Sequence, residues 1–316
     1  MLYKNTFKLM FSNASLIWKL FLYFVITFAF ILGLAFVVGL PIYRVLVAEG
    51  FFVSISETYS EFITSLNLIS LFENISQLFT NFMDIIINNF SNLVIYIVLF
   101  MFVLVVLGNM LTNFHNLPTS NILNMYMSSN VKQGFMQSFL ATTRQNIKYN
   151  LLYLVTLMPI NLGITFLVFQ SFKLFKSTGL LLVFAPFIII IGFTIINSLK
   201  TAFFCGWVPS IITQNKGVCK AFRNGFVVTK RRFLQTFGNA FVLNVTMIFI
   251  NVFGGLCTFG VALLFTIPAT FLISSIFNMV AYYTAIGQRF YVDPHNVIAP
   301  KTMELTEKMR NQRFMV

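Results

Sequence analysis

Between Phe233 and Gln288 the chain runs for 56 residues without a single Asp, Glu, Lys or Arg. A helix rises about 1.5 Å per residue, so about 20 apolar residues cross a hydrocarbon core roughly 30 Å thick. This run therefore predicts two spans, joined by a tight turn near Gly254, Gly255 and Gly260. Leu20 to Tyr43 is a further uncharged run, and the stretch enclosed by Asp84 and Lys132 is most hydrophobic from Leu93 to Leu111. Tyr149 to Phe172 and Gly179 to Leu199 supply two more, separated by Lys173, Lys176 and a Ser177-Thr178-Gly179 turn. The fold class that follows is an all-α integral membrane protein of about six transmembrane helices. Only 9% of its residues are charged, its mean hydropathy is +0.85, and 41 phenylalanines suit lipid-facing surfaces. Lys4 and Lys8 precede the first run as they would in a signal peptide. That run is too long for one and lacks an A-x-A-like cleavage site, so a retained anchor is expected.

Orientation follows from basic residues, which cytoplasmic segments retain. With both ends inside, 18 of the 21 Lys and Arg residues fall in cytoplasmic segments, Lys200 among them, and only Arg44, Lys173 and Lys176 lie outside. Five of the eight acids, Glu49, Glu57, Glu61, Glu73 and Asp84, fall in the first external segment. The expected location is the cell (plasma) membrane, with cytoplasmic N and C termini. A net charge of +13 is thereby explained by topology, and no nucleic acid is expected as a partner.

Before the fifth span, Val218, Phe222, Gly225, Phe226, Thr229 and Phe233 recur at helical spacing, with Lys220, Arg223, Lys230 and Arg231 on the other side. This pattern predicts a helix in the cytoplasmic interface, its basic residues contacting anionic lipid headgroups or a protein partner. The pattern recurs 87 residues earlier. Val131, Gly134, Phe135, Ser138, Phe139, Thr142 and Arg144 match Val218, Ala221, Phe222, Gly225, Phe226, Thr229 and Arg231. A fainter third copy places Phe7, Phe11 and Ala14 beside Phe135, Phe139 and Thr142. The chain then divides into parallel units, each an interfacial helix feeding a hairpin: 1–111 with an external insertion at 44–90, 112–200, 201–290, and a cytoplasmic tail 291–316.

The stretch Ala221 to Phe233, followed by two spans with Pro268 early in the second and Ala281-Tyr282 near its end, resembles a bacterial group of multi-span proteins. That group includes the membrane domains attached to glycerophosphodiester phosphodiesterases. The similarity covers roughly Cys205 to Phe290 and, more weakly, Val131 to Phe172. In that family the phosphodiester chemistry belongs to a separate soluble domain for which this chain has no room. The resemblance thus implies architecture and a bacterial source, as does Asn-, Ile-, Phe- and Lys-rich usage, but no activity.

The external segment from Arg44 to Asn89 carries Ile55, Tyr59, Phe62, Leu66 and Ile69, then Phe72, Ile75, Phe79, Phe82 and Ile86, at three-four spacing. One or two amphipathic helices are expected there, either docking a partner or resting on the outer leaflet or neighbouring spans.

Chemistry is harder to find. His115 and His295 stand beside Leu117-Pro118 and Asp293-Pro294 and read as interfacial residues; no H-E-x-x-H, phosphate-binding loop or G-x-S-x-G elbow occurs. Cys205, Cys219 and Cys257 have no C-x-x-C spacing and are read as packing residues, so no metal or cofactor is expected. Pro159, Pro186 and Pro268 should kink their spans. No Asp or Glu lies inside a predicted span, which argues against ion-coupled transport. The polar residues there are neutral, and Asn244, Asn251 and Asn278 are the sharpest candidates for lining a substrate path; interhelical hydrogen bonding is the plainer use. Two functions remain open: a non-enzymatic scaffold or partner subunit in the bacterial envelope, and a permease or channel-like subunit working with a separate ATPase.

Overall fold

A computed structural model describes residues 2–65, 68–176, 185–230 and 232–299. Six helices in it are long and apolar enough to cross a membrane, and the only sheet among the described residues is a two-stranded hairpin. The expected all-α multi-span class is what is found. Arg231, the Ser177-Thr178-Gly179 turn, the side chain of Pro186 and most of the 291–316 tail lie outside the described residues.

The chain forms two units, 1–25 with 110–316, and 26–109. The larger unit begins with α1 (Leu2–Ser12) and the start of α2 (Ser15–Ala48). It continues through α7 (Asn116–Ser129), α8 (Phe135–Lys176), α9 (Ala185–Phe204), α10 (Trp207–Gln214), α11 (Val218–Lys230), α12 (Phe233–Cys257) and α13 (Leu263–Ile286). The last span is the hub: 44% of its apolar window is buried, against 11–22% for the other spans. Leu272, Ile276, Phe277 and Val280 of α13 pack with Leu9, Leu20, Tyr126 and Leu243 in one core. Residues turned away from this core remain apolar and exposed, such as Val155, Phe249 and Leu234, as helices bathed in lipid require.

The expected turn of the long uncharged run is confirmed with one adjustment. Gly254 and Gly255 stay inside α12, and the chain reverses at Thr258–Ala262, where Phe259 (φ 50°) and Gly260 (φ 89°) take left-handed backbone. Past α13, Gly287 in the same region (φ 76°) closes the helix. An antiparallel hairpin follows, β1 (Phe290–Asp293) and β2 (Asn296–Ile298). Asp293 anchors its turn, accepting from His295 N–H at 2.9 Å and Asn296 Nδ2 at 2.6 Å. The hairpin packs on α1, where Ser12 Oγ donates to the Val292 carbonyl at 3.0 Å. The start and end of the described chain therefore meet.

The smaller unit contains the rest of α2, α3 (Phe51–Ser65), α4 (Leu68–Asn88), α5 (Phe90–Met101) and a six-residue π-helical segment, Phe102–Leu107, that leads into α6 (Gly108–Asn113). The segment expected to be external contains two helices, α3 and α4, paired through Phe51 and Phe82 (ring centroids 5.6 Å apart) and an Asn74 Nδ2 to Glu61 Oε2 hydrogen bond of 2.7 Å. In the α2 part, Gly39 faces Phe100 so closely that a Cβ would stand 3.1 Å from the ring.

Two helices were not anticipated as core elements. α7 and α10 follow a span and were expected in cytoplasmic loops, yet Leu117, Ile122, Leu123, Tyr126 and Met127 of α7, and Trp207 and Ile211 of α10, are buried. Each ends on an Asn in left-handed conformation, Asn130 (φ 55°) and Asn215 (φ 48°), that turns the chain into the next helix. Asn tolerates this region better than most non-Gly residues.

Candidate functional site

In the larger unit a partly open cavity of about 240 Å³ is lined by residues from α6 to α13. One water needs only about 10–15 Å³ of such space, so this volume admits a small solute. Its apolar wall is Leu157, Phe204, Trp207, Leu243 and Phe271. The polar wall carries Asn113 and Asn116 near the start of α7, Tyr153 and Asn161 of α8, Lys200 and Thr201 of α9, Asn244 of α12, and Ser274 and Asn278 of α13.

Each polar residue reaches the cavity by helical geometry. Tyr153, Leu157 and Asn161 are spaced by four on α8, and Ser274 and Asn278 likewise on α13, so each set shares a face. Lys200 Nζ donates to Asn161 Oδ1 at 2.9 Å, and Asn161 Nδ2 donates to the Tyr153 hydroxyl at 2.9 Å. Asn244 Nδ2 donates to Ser198 Oγ at 2.9 Å, tying α12 to α9. The buried Asn278 Oδ1 accepts from no protein group among the described residues.

The expected polar path is thus only partly assembled. Asn244 and Asn278 line the cavity, while Asn251 stands apart, donating to Thr270 Oγ1 at 3.0 Å between α12 and α13. The larger departure is Lys200. The apolar run stops at Leu199, which assigns the lysine to a cytoplasmic loop, but α9 continues to Phe204 and the half-buried side chain reaches Asn161 of α8. The span is therefore not free of ionisable groups. The signal available in the sequence was the apolar continuation Ala202-Phe203-Phe204 beyond it, which lets one helix carry a charge internally.

Val218, Gly225 and Thr229 of the expected apolar face, with Ala221, form the buried face of α11, while Phe226 and Val227 are exposed. The reason is the Gly225 backbone, which meets Gly206 so tightly that a Cβ on either residue would fall within 2.7 Å of the other's backbone. Trp207 seals this crossing, its indole N–H donating to the Val218 carbonyl at 3.2 Å and its ring meeting Tyr149 and Phe222 at 4.8 and 4.9 Å. Lys220, Arg223 and Lys230 are exposed on the far side; Arg231 lies outside the described residues.

His115 is fully buried before α7, among Tyr23, Phe24 and Phe271, while His295 is exposed in the hairpin turn. Cys205 is buried beside the cavity as expected of a packing residue, but Cys219 and Cys257 are exposed. No group of three or more His, Cys, Asp or Glu residues able to hold a metal occurs among the described residues. Comparisons with protein-family models, curated proteins and solved structures find no match to this chain.

Proposed function

We propose that this chain is a non-enzymatic, permease-like multi-pass membrane subunit whose larger helical unit offers a polar cavity to a small solute or lipid headgroup. The observation that carries the reading is the cavity itself: neutral amides and hydroxyls from α8, α9, α12 and α13 converge on it together with one lysine. Polar side chains are costly in hydrocarbon and are usually placed where they pair or line a path. Energy coupling belongs to a partner, since the sequence carries no phosphate-binding loop and no carboxylate between Asp84 and Asp293. The plasma membrane and cytoplasmic termini are the setting, supported by a 17-to-3 division of basic residues once Lys200 is set aside, and by the contact between α1 and the hairpin after α13. The likeness to membrane domains of glycerophosphodiester phosphodiesterases enters only as architecture, a helix-plus-hairpin unit in a bacterial membrane.

A Ser274→Cys variant, with Cys219 and Cys257 changed to Ser, tests the reading. In sealed vesicles the introduced thiol should react with a small hydrophilic thiol reagent from one side, faster than the buried Cys205 does in the same background. Reaction only after denaturation refutes a solute-accessible cavity. The scaffold reading rests on a different surface, the exposed Lys220, Arg223 and Lys230 on α11. Changing these three to Gln should weaken binding to anionic liposomes in a salt-dependent manner, and unchanged binding removes their lipid-contacting role.

A further inference from the structure

Lys200 has no carboxylate beside it among the described residues of the larger unit. From Ile85 to Val292 the sequence contains no Asp or Glu. Within the larger unit the only carboxylate among the described residues is Asp293, held in the β-hairpin turn by His295 and Asn296. The hydrogen bond made by Lys200 Nζ is to a neutral amide oxygen, Asn161 Oδ1, at 2.9 Å. A half-buried ammonium with no carboxylate beside it is costly, and more so among helices facing lipid. Its surroundings are not apolar, however. Nζ has donors to spare, since an ammonium carries three N–H bonds. The same cavity presents hydroxyl and amide groups from Thr201, Ser274 and Asn278. Thr201 and Ser274 donate their protons to the Asn197 carbonyl and Met247 Sδ, so the spare N–H bonds of Lys200 are what this acid-free lining offers to an oxygen-bearing anion.

We propose that the cavity is an oxyanion site in which Lys200 pairs with a phosphate or carboxylate group, carried either by a soluble solute or by a lipid headgroup. The inference rests on the permease-like reading of the cavity and names the ligand class. Asn161 is a positioning residue: it holds Nζ toward α8 while Tyr153 in turn accepts from Asn161 Nδ2 at 2.9 Å. Asn244, anchored to Ser198 Oγ, fixes the opposite wall.

The test uses the full chain in phosphatidylcholine nanodiscs, followed by thermal unfolding at constant ionic strength. In one arm chloride is replaced by inorganic phosphate or by acetate; in the other, part of the phosphatidylcholine is replaced by phosphatidylglycerol. The wild type should gain Tm with phosphate or acetate if the source is a solute, or with phosphatidylglycerol if it is a headgroup, because a ligand that binds only the folded state stabilises it. That gain should vanish in Lys200→Met, persist in Lys200→Arg, and survive the Lys220, Arg223 and Lys230 to Gln substitutions that remove the exposed basic face. The absence of a Tm gain in the wild type in both arms overturns the proposal whether or not Lys200→Met folds, as does an equal gain in wild type and Lys200→Met. If the thiol of the Ser274→Cys variant is labelled from the aqueous phase and the anion arms are silent, the cavity reading stands and the oxyanion assignment falls. If that thiol is unlabelled, the reading beneath both fails.

Discussion

At the corner between α7 and α8, Ser138 Oγ donates to the Pro118 carbonyl at 2.8 Å and receives Asn121 Nδ2 at 3.0 Å. At the matching place 87 residues later, in the corner between α10 and α11, stands Gly225, with no side chain, and its backbone meets Gly206 directly. Both corners share a helix ended by a left-handed Asn, a small residue aimed at the first turn of the preceding helix, and a buried Thr four residues further on. Thr142 Oγ1 donates to the Ser138 carbonyl at 2.9 Å and Thr229 Oγ1 to the Gly225 carbonyl at 3.0 Å. The difference lies in how two helices approach: a hydroxyl spans the gap in one, and removal of every side-chain atom closes it in the other. The two corners thus share a local geometry as well as a sequence spacing. The N-terminal segment does not share it, for Phe11 and Ala14 are exposed there and the buried face runs through Leu2, Thr6, Leu9 and Asn13.

The largest effect should come from importing the residue of one corner into the other. Gly225→Ser places a Cβ 2.6 Å from Gly206 carbonyl atoms, backbone that cannot yield as a side chain would. A loss of about 3 kcal/mol is expected, the upper range of overpacking. Thermal unfolding followed by Trp emission reads it, and wild-type stability in Gly225→Ser would mean the helices do not touch as described. The reverse exchange, Ser138→Gly, should cost less, about 2 kcal/mol: roughly 1 for the hydrogen bond and up to about 1 for glycine inside a helix. Equal costs for the two exchanges would erase the distinction between the corners.

Thr142→Val and Thr229→Val sharpen the comparison at finer scale. Each should cost about 0.6 kcal/mol, the mean for a side-chain hydrogen bond among membrane helices. Thr229 should cost more, because its hydroxyl also lies 3.2 Å from the Phe203 carbonyl of α9. The smallest change belongs to the caps. Asn130→Gly and Asn215→Gly should stay within about 0.5 kcal/mol of wild type, whereas Ala at either position should cost about 1–2 kcal/mol in left-handed backbone. A tolerated Ala would show that the corner turns without that conformation.

Much of the fold was legible in the sequence because lipid imposes one crude requirement, long runs without charge. The runs ending at Tyr43, Leu111, Phe172 and Gln288 all became spans, and three-four spacing in 51–88 announced α3 and α4. Charge counting treats every Lys as a loop residue, whereas a helix extending past the apolar run carries Lys200, half-buried, to the cavity wall. Helical spacing identified α11 and put Val218, Gly225 and Thr229 on one face, all three buried. Periodicity weighs Phe226 above Gly225, while close packing between helices selects the smaller residue.

The amino-acid sequence by itself determined that this protein crosses a membrane as a helical bundle, since only intrahelical hydrogen bonds satisfy a backbone in hydrocarbon. It also determined where the charges can lie along the chain. Only the tertiary structure decided that Asn161, Lys200, Asn244 and Asn278, from four separate helices, face one cavity while Asn251 does not. The reason is physical: which polar residues meet depends on the rotation and crossing of neighbouring helices, and those are set by pairwise contacts such as Gly206 on Gly225 that no single helix encodes.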